Sequence, residues 1–262
     1  MTLSMKTSCL VNSIAIVAFG ILAMNSASFA ESANREPLSV QTETRVSHAK
    51  ELLGRGYKKS AVRISESTKD ITQFVKETTK KFLPKKYRKS SGAIAKAIVE
   101  SSELYHMDPV FVMAVIQNES SFNPTRRGSF GEIGLMQIKP STAEWIADSY
   151  DLDYKDEKTL LNPVHNIEIG VALLDKLRHQ FESKSRLYLS AYNIGAKKVR
   201  TMVEDKRIPK EYVIAVMKRY IAMYSAFKIE GNWKERGEIA FHNTRDAIQK
   251  KAKPVQVTSN QS

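Results

Sequence analysis

The sequence has one cysteine in 262 residues. That excludes a disulfide framework and any cysteine cluster for zinc or iron–sulfur. Histidine is scarce too. His48, His106, His165, His179 and His242 are scattered, and no HExxH or comparable ligand spacing occurs, which argues against a metal enzyme. No apolar run approaches the roughly 20 residues that a spanning helix needs. There is no internal repeat, and strand signals are weak apart from short pairing over 126–138. What is present is a globular balance, 42% hydrophobic and 26% charged, neither disordered nor collagen-like. The length accommodates one domain of ordinary size plus extras.

Lys6 is the only charge before Glu31. Residues 14–24 form an uncharged apolar stretch, and Ser28-Phe29-Ala30 follows with small residues where a signal peptidase reads. This is the layout of a secretory signal peptide over 1–30, favoured over a membrane anchor because the core is short. Cys9 precedes the apolar core, so it is badly placed for a lipobox, and cleavage after Ala30 leaves a chain with no cysteine. The expectation is export, to the periplasm or cell envelope.

The net charge of +13 is unevenly spread. Residues 31–90 hold 15 basic against 7 acidic side chains, 91–225 hold 18 against 17, and the part from 226 holds 7 against 4. The densest run is Lys80-Lys81-Phe82-Leu83-Pro84-Lys85-Lys86-Tyr87-Arg88-Lys89. A basic run with two aromatics suits nucleic acid, but an export signal argues against that partner. Anionic wall polymers or lipid head groups are the counter-charges an exported chain meets. A solvated linker with no partner fits the run equally well.

Periodicity makes the chain mostly α. Residues 31–47 pattern poorly and read as flexible. Residues 48–59 and 69–82 show short, highly charged helical periodicity, as surface helices or helices that need a partner, with Pro84 breaking the second. A stronger helix spans about 92–105 through Ile94, Ala95, Ile98, Val99 and Leu104. Asp108-Pro109 then supplies a cap and a first-turn proline. The helix from 110 to about 118 is apolar nearly all round, so it should be buried. After a Gly-rich polar stretch over 123–134, Ser141-Thr142-Ala143-Glu144 reads as a capping box. Asn162-Pro163 repeats the cap-plus-proline signal before a helix to about 181. Residues 185–194 form a short helix closed by Gly195. Pro209 starts the last clear helix, to about 226, and 250–262 read as disordered.

Chemistry concentrates in Gln117-Asn118-Glu119-Ser120-Ser121-Phe122-Asn123-Pro124, where the apolar helix meets the Gly-rich loop. A carboxyl group emerging beside Val115 and Ile116 into a cleft is desolvated, so its pKa should rise toward neutrality. A carboxylic acid still protonated at working pH can donate its proton to a glycosidic oxygen. The bland alternative is a solvent-facing Glu, unfavourably placed against the negative end of a helix dipole.

Further blocks follow in order: Gly134-Leu135-Met136-Gln137-Ile138 with Pro140, Asn162-Pro163 with Asn166-Ile167 and Gly170, and Ala191-Tyr192-Asn193-Ile194-Gly195. With the Glu119 segment, these resemble the soluble-lytic-transglycosylase type of lysozyme-like domain, which cleaves bacterial peptidoglycan. The family pattern is Glu-Ser-x-Phe-x-Pro, a Gly-rich loop, Gly-Leu-Met-Gln, Asn-Pro-x-x-Asn-Ile-x-x-Gly and Ala-Tyr-Asn-x-Gly. The resemblance covers about 90–225. It implies a mostly α, lysozyme-like catalytic domain with a small Gly-rich β/loop region, preceded by a basic helical extension. The domain division that follows is a signal peptide over 1–30, a basic, partly helical extension over 31–89, a lysozyme-like transglycosylase domain over 90–226 and a polar tail over 227–262.

By resemblance, Glu119 is the sole catalytic acid and base. Gln137 and Met136 face the substrate's N-acetyl groups, Tyr192 and Asn193 lie beside the acid, and Tyr212 faces the same cleft. Two positions depart from the pattern. The family's serine nine residues after the acid, followed by proline, is Gly128 followed by Ser129 here, so Ser129 is the candidate replacement for its substrate contact. The alanine common after the loop glycine is Glu132, which reads as an exposed loop charge. Were it to face Glu119, a two-carboxylate hydrolase would come into view. The resemblance implies peptidoglycan glycan strands as the partner and no cofactor. It implies cleavage of the MurNAc–GlcNAc β-1,4 bond to leave 1,6-anhydroMurNAc ends. The alternatives are a lysozyme-type muramidase, a catalytically idle wall-binding or scaffold protein, and an accessory enzyme serving a secretion or conjugation machine. Oligomeric state, and cleavage within strands or from their ends, stay open.

Overall fold

A computed structural model describes residues 40–66, 71–204 and 207–231, all within one compact unit, Ser39–Ser262. The signal-peptide segment 1–30 and the polar residues 250–262 lie outside the described residues. The helices are α1 (Thr42–Leu53), α2 (Thr72–Phe82), α3 (Ser91–Leu104), α4 (Pro109–Glu119), α5 (Pro140–Tyr150), α6 (Pro163–Gln180), α7 (Ser185–Ile194), α8 (Ala196–Glu204) and α9 (Glu211–Gly231). Short 3-10 turns link several of them. Among the described residues the only sheet-like pairing is two isolated bridges, Arg127 with Ile133 and Ile133 with Ile138. The mostly α expectation holds, and the weak pairing falls within 126–138.

Helix α4 is the central element. Every residue from Pro109 to Ile116 is buried, as its apolar circumference requires. Its start obeys the sequence signal: Asp108 caps it, with Oδ1 accepting from the Val110 N–H at 2.9 Å, and Pro109 occupies the first turn. Asn162 does the same for α6, accepting from the Val164 N–H at 3.0 Å. Gly195, at φ 89°, closes α7. The capping box at 141–144 does not form. Helix α5 starts two residues earlier, with Pro140 in its first turn and Lys139 as a cap without a side-chain bond. Proline's fixed φ preorganises that turn and displaces Ser141 from the cap position.

Residues 42–47, expected to be flexible, belong to α1. The order comes from burial. Arg45 and His48 are fully buried, and the Arg178 guanidinium of α6 holds the Glu51 carboxylate of α1 with two of its nitrogens. The His48 Nδ1 accepts the Asp108 N–H at 3.0 Å, so the ring's proton sits on Nε2, facing the Tyr188 hydroxyl at 3.4 Å. Burial, then the Arg178 charge, hold this imidazole well below its ordinary pKa, hence neutral. On the other side of Asp108, Oδ2 accepts from the Tyr220 hydroxyl at 2.6 Å and the Tyr224 hydroxyl at 2.7 Å, both on α9. Helix α9 extends beyond the expected end near 226 and packs along α4. One buried residue thus ties α1, through its backbone N–H, and α9, through its carboxylate, to the start of the helix that ends in Glu119.

No helix among the described residues is long and apolar enough to cross a membrane.

Candidate active site

Glu119 is the last residue of α4. The chain leaves the helix through two consecutive left-handed residues, Ser121 at φ 52° and Phe122 at φ 60°, neither of them glycine. Such a turn survives only when its surroundings over-determine it. Here Phe122 is fully buried and stacks on Phe82 of α2, with ring centroids 5.3 Å apart. Beyond it, the Asn123 Oδ1 accepts from the Thr125 N–H at 3.2 Å, and the Tyr87 hydroxyl donates to the Thr125 hydroxyl at 3.1 Å. Two aromatics of the basic run therefore brace the turn that aims the acid.

The Tyr212 hydroxyl of α9 donates a short hydrogen bond to Glu119 Oε1. Tyr212 stacks on Tyr192 of α7, with centroids 6.5 Å apart and planes 25° apart. Tyr192 in turn donates to the Met136 carbonyl at 2.8 Å. Desolvation raises the Glu119 pKa above the ordinary carboxylate value. Hydrogen bonds from Tyr212 and Asn118 and the Arg126 charge oppose it, and the Glu132 charge adds to the rise. Burial, and then the Glu119 charge, push both phenols well above their ordinary value, so they stay protonated as donors.

The loop wall is interlocked. Asn166 of α6 is fully buried. Its Oδ1 accepts from the Met136 N–H at 2.8 Å, and its Nδ2 donates to the Ile133 and Leu160 carbonyls at 2.9 and 3.1 Å. Gly134, at φ 84°, admits no side chain, since a Cβ there would lie 2.3 Å from Asn166 Nδ2. Gly170 is equally constrained, by Met136 Sδ at 2.4 Å. Gln137, at φ 52°, donates from Nε2 to the Arg126 and Gly134 carbonyls at 3.1 and 2.9 Å. So much of what the ordered blocks share is scaffold that shapes one wall.

Of the residues expected at the site, Glu119, Tyr212 and Tyr192 come together, with Gln137 on the adjoining loop. Met136 is corrected: its side chain is fully buried against Gly170, and only its backbone reaches the site, through Tyr192. Ser129 and Asn193 are exposed, and neither is hydrogen-bonded to Glu119. Glu132 is corrected too. Its side chain is only 22% exposed, with Oε2 accepting from the Phe130 N–H at 3.0 Å and Oε1 lying 3.5 Å from Lys139 Nζ. Two charged neighbours escaped sequence reasoning, Arg126 on the loop and Arg219 on α9. Arg219 is half-buried and senses both Glu119 and Tyr212. Its signal was helical spacing, two turns beyond Tyr212 on the same face. Among the described residues, no group of three or more His, Cys, Asp or Glu is placed to hold a metal ion.

Residues 96–214 match the Transglycosylase SLT domain family. A putative soluble lytic murein transglycosylase of Haemophilus influenzae is 37% identical over 94 residues, 36% of this chain and 16% of that protein. Membrane-bound lytic murein transglycosylase C of Histophilus somni is 36% identical over 114 residues, 39% of this chain and 31% of that one. Among solved structures, an inactive mutant of the lytic transglycosylase Slt from Pseudomonas aeruginosa matches with TM-score 0.48 and 24% identity, over 51% of this chain and 24% of that one. The chain therefore spans less than a third of the length of these relatives. The match to the transglycosylase SLT domain family is confined to residues 96–214, the stretch that holds Glu119, Gln137 and Tyr192.

Proposed function

We propose that this chain is a peptidoglycan lytic transglycosylase in which Glu119 acts first as acid and then as base. The observation that carries the reading is a desolvated Glu119 with raised pKa and a tyrosine donor on one oxygen, while the nearest loop carboxylate, Glu132, is committed to Phe130 and Lys139. Protonated Glu119 donates to the oxygen linking N-acetylmuramic acid to N-acetylglucosamine, and the C1–O bond breaks. The substrate's acetamido oxygen meets the positive charge at C1. Glu119, now a carboxylate steadied by Tyr212, takes the proton from the C6 hydroxyl, whose oxygen bonds to C1. The nucleophile is already positioned on the substrate, which saves the entropy of bringing in water. The product is a 1,6-anhydroMurNAc end, and no cofactor enters.

The reaction adds no water, so mass analysis of fragments from purified sacculi tests it directly. Anhydro ends are expected. Reducing muramic acid ends, heavier by one water, would instead make the chain a muramidase, and no release from sacculi would leave a wall-binding protein.

Tyr212→Phe gives a second expected result. Its hydroxyl lowers the Glu119 pKa, so its loss raises that pKa further. Activity needing protonated Glu119 falls as pH rises through this value, so the alkaline limb of the pH–rate profile should move upward. The carboxylate formed in the acid step loses its donor at the same time, and maximal turnover should fall by at least about tenfold, the effect of losing one hydrogen bond to a charged group. A limb that stays put would separate Tyr212 from the acid.

We also propose that the chain works outside the cytoplasm, with its basic run on an anionic wall polymer or membrane surface. Lys85, Lys86, Arg88 and Lys89 are exposed, Phe82 stacks on the buried Phe122, and Tyr87 stays at the surface with its hydroxyl on Thr125 and Lys86 Nζ 4.7 Å from its ring centroid. Both aromatics are thus already engaged, which leaves a run of cations suited to anionic polymers and poorer for stacking on bases.

A further inference from the structure

Glu132 lies on the loop that faces the acid, and the space it fills belongs to another residue. A Cβ built on Gly128 would lie 2.2 Å from Glu132 Oε2, 3.0 Å from Gln137 Oε1 and 3.1 Å from Glu132 Cβ. The turn is closed by the Gly128 N–H donating to the Glu132 carbonyl at 2.8 Å. Over that turn the Glu132 side chain folds back across the bare Gly128 backbone. One carboxylate oxygen takes the Phe130 N–H and the other faces the Lys139 ammonium. The Gln137 side chain, anchored by its Nε2 to the Arg126 and Gly134 carbonyls, turns Oε1 toward the same space. Glycine at 128, glutamate at 132 and glutamine at 137 thus form one packed unit.

We infer that Glu132 is a positioning residue of this site: seated in the space over Gly128, it fixes the Gln137 wall of the cleft and sets a stationary negative charge within reach of Glu119. The inference rests on the proposed reaction. Its geometry explains why a carboxylate is tolerated here without being a second catalytic group, since both of its oxygens already have partners. The charge acts on Glu119 in concert with other groups. Asn118 on α4, Tyr212 and Arg219 on α9, Tyr192 on α7 and Arg126 on the loop all bear on the acid or its tyrosine partner. Of these, Arg126 and Glu132 are the opposed loop charges. Glu132 itself is held as a carboxylate below its ordinary pKa, its burial outweighed by the backbone N–H groups and Lys139. It therefore stays charged across the range where Glu119 titrates, and its negative charge favours the protonated acid.

Two experiments on the full chain test this. The first is a thermal double-mutant cycle with Gly128→Ala and Glu132→Ala, which needs no activity. In the parent, the new methyl evicts the Glu132 carboxylate from Phe130 and Lys139, and Tm should fall by about 2–4 °C. In the Glu132→Ala background the same change should cost clearly less, because its main obstacle is gone. Equal costs in both backgrounds would overturn the packing argument. The second is the pH–rate profile of Glu132→Gln, which keeps the volume and removes the charge. The alkaline limb should move down by about half a pH unit, a roughly threefold loss on that limb. Gly128→Ala should shift it the same way by displacing the carboxylate. A Glu132→Gln profile superposing on the parent would overturn the electrostatic role. A parent inactive on sacculi would sink the proposed reaction instead, while the thermal cycle would still decide the packing.

Discussion

Glu119→Gln is expected to abolish release of fragments from sacculi while leaving the fold intact. Positioned proton transfer contributes about 10²–10⁴-fold. Here one side chain is asked to perform both transfers, so the loss should reach at least the upper part of that range. Glutamine keeps the shape and still accepts from the Tyr212 hydroxyl, so Tyr192 and the Met136 carbonyl keep their partners. Stability should not suffer. A carboxyl group whose pKa is raised on folding binds its proton more tightly in the folded chain than in the unfolded one. Its contribution is therefore complete at pH below the ordinary carboxylate value and is lost as pH rises through the folded value. At neutral pH the parent carries the cost of a half-dry carboxylate that the amide does not. The variant should melt at the same temperature as the parent or higher near pH 7, and the advantage should vanish in acid. Residual activity within tenfold of the parent would remove Glu119 from the chemistry. Retained binding to sacculi without cleavage would show that substrate recognition lies in the rest of the cleft.

The acid and its helix were legible in the sequence because both are local. An all-round apolar run ending at Glu119 forces burial of α4, and Asp108-Pro109 forces its start. The ordered blocks fold together into one wall, but a motif does not report what each residue does there. Met136 looks like a cleft residue in a motif, yet its side chain is the plug that Gly170 accommodates. Asn166 carried no assigned role, although it holds two backbone groups of the loop, the Met136 N–H and the Ile133 carbonyl. Both facts are contacts between segments some thirty residues apart, which periodicity cannot report. Glu132 fails for a related reason. A charged residue in a polar loop is ordinarily solvated, and only the bare backbone at Gly128, brought over it by the turn, lets it fold inward. The first helix was misplaced because its order is borrowed. Residues 42–47 have weak amphipathic patterning of their own and are held by Arg45, His48 and Glu51 reaching into the body. A charged helix that seemed to need a partner finds it in the same chain.

That borrowed order makes Asp108 the most consequential residue outside the cleft. Asp108→Ala removes the cap of α4 and leaves the Tyr220 and Tyr224 hydroxyls without their common acceptor in a fully buried place. Each orphaned buried group costs about 1–3 kcal/mol, and the lost cap about 1 kcal/mol. Arg45, buried nearby and electrostatically coupled to Asp108, loses a compensating charge as well. The expected cost is on the order of 4 kcal/mol, or a fall in Tm on the order of 10 °C for a body of this size. The orphaned hydroxyls make a sharper test than the single variant. Adding Tyr220→Phe and Tyr224→Phe to Asp108→Ala should recover part of the loss, because apolar rings need no acceptor there. The two phenylalanine changes in the parent should instead destabilise, since they strip donors from a buried carboxylate that desolvation already penalises. Opposite signs in the two backgrounds are the signature of a shared acceptor, and the same sign in both would dissolve the network. The catalytic consequence follows from where the helices lead. Helix α4 runs from Asp108 to Glu119, and α9 carries both the tyrosines that bind Asp108 and the Tyr212 that binds Glu119. Loosening the clamp at one end of this helix pair should misalign donor and acid at the other. Asp108→Ala should therefore lose activity at temperatures well below its own melting point, while Glu119→Gln is inactive at every temperature and fully folded.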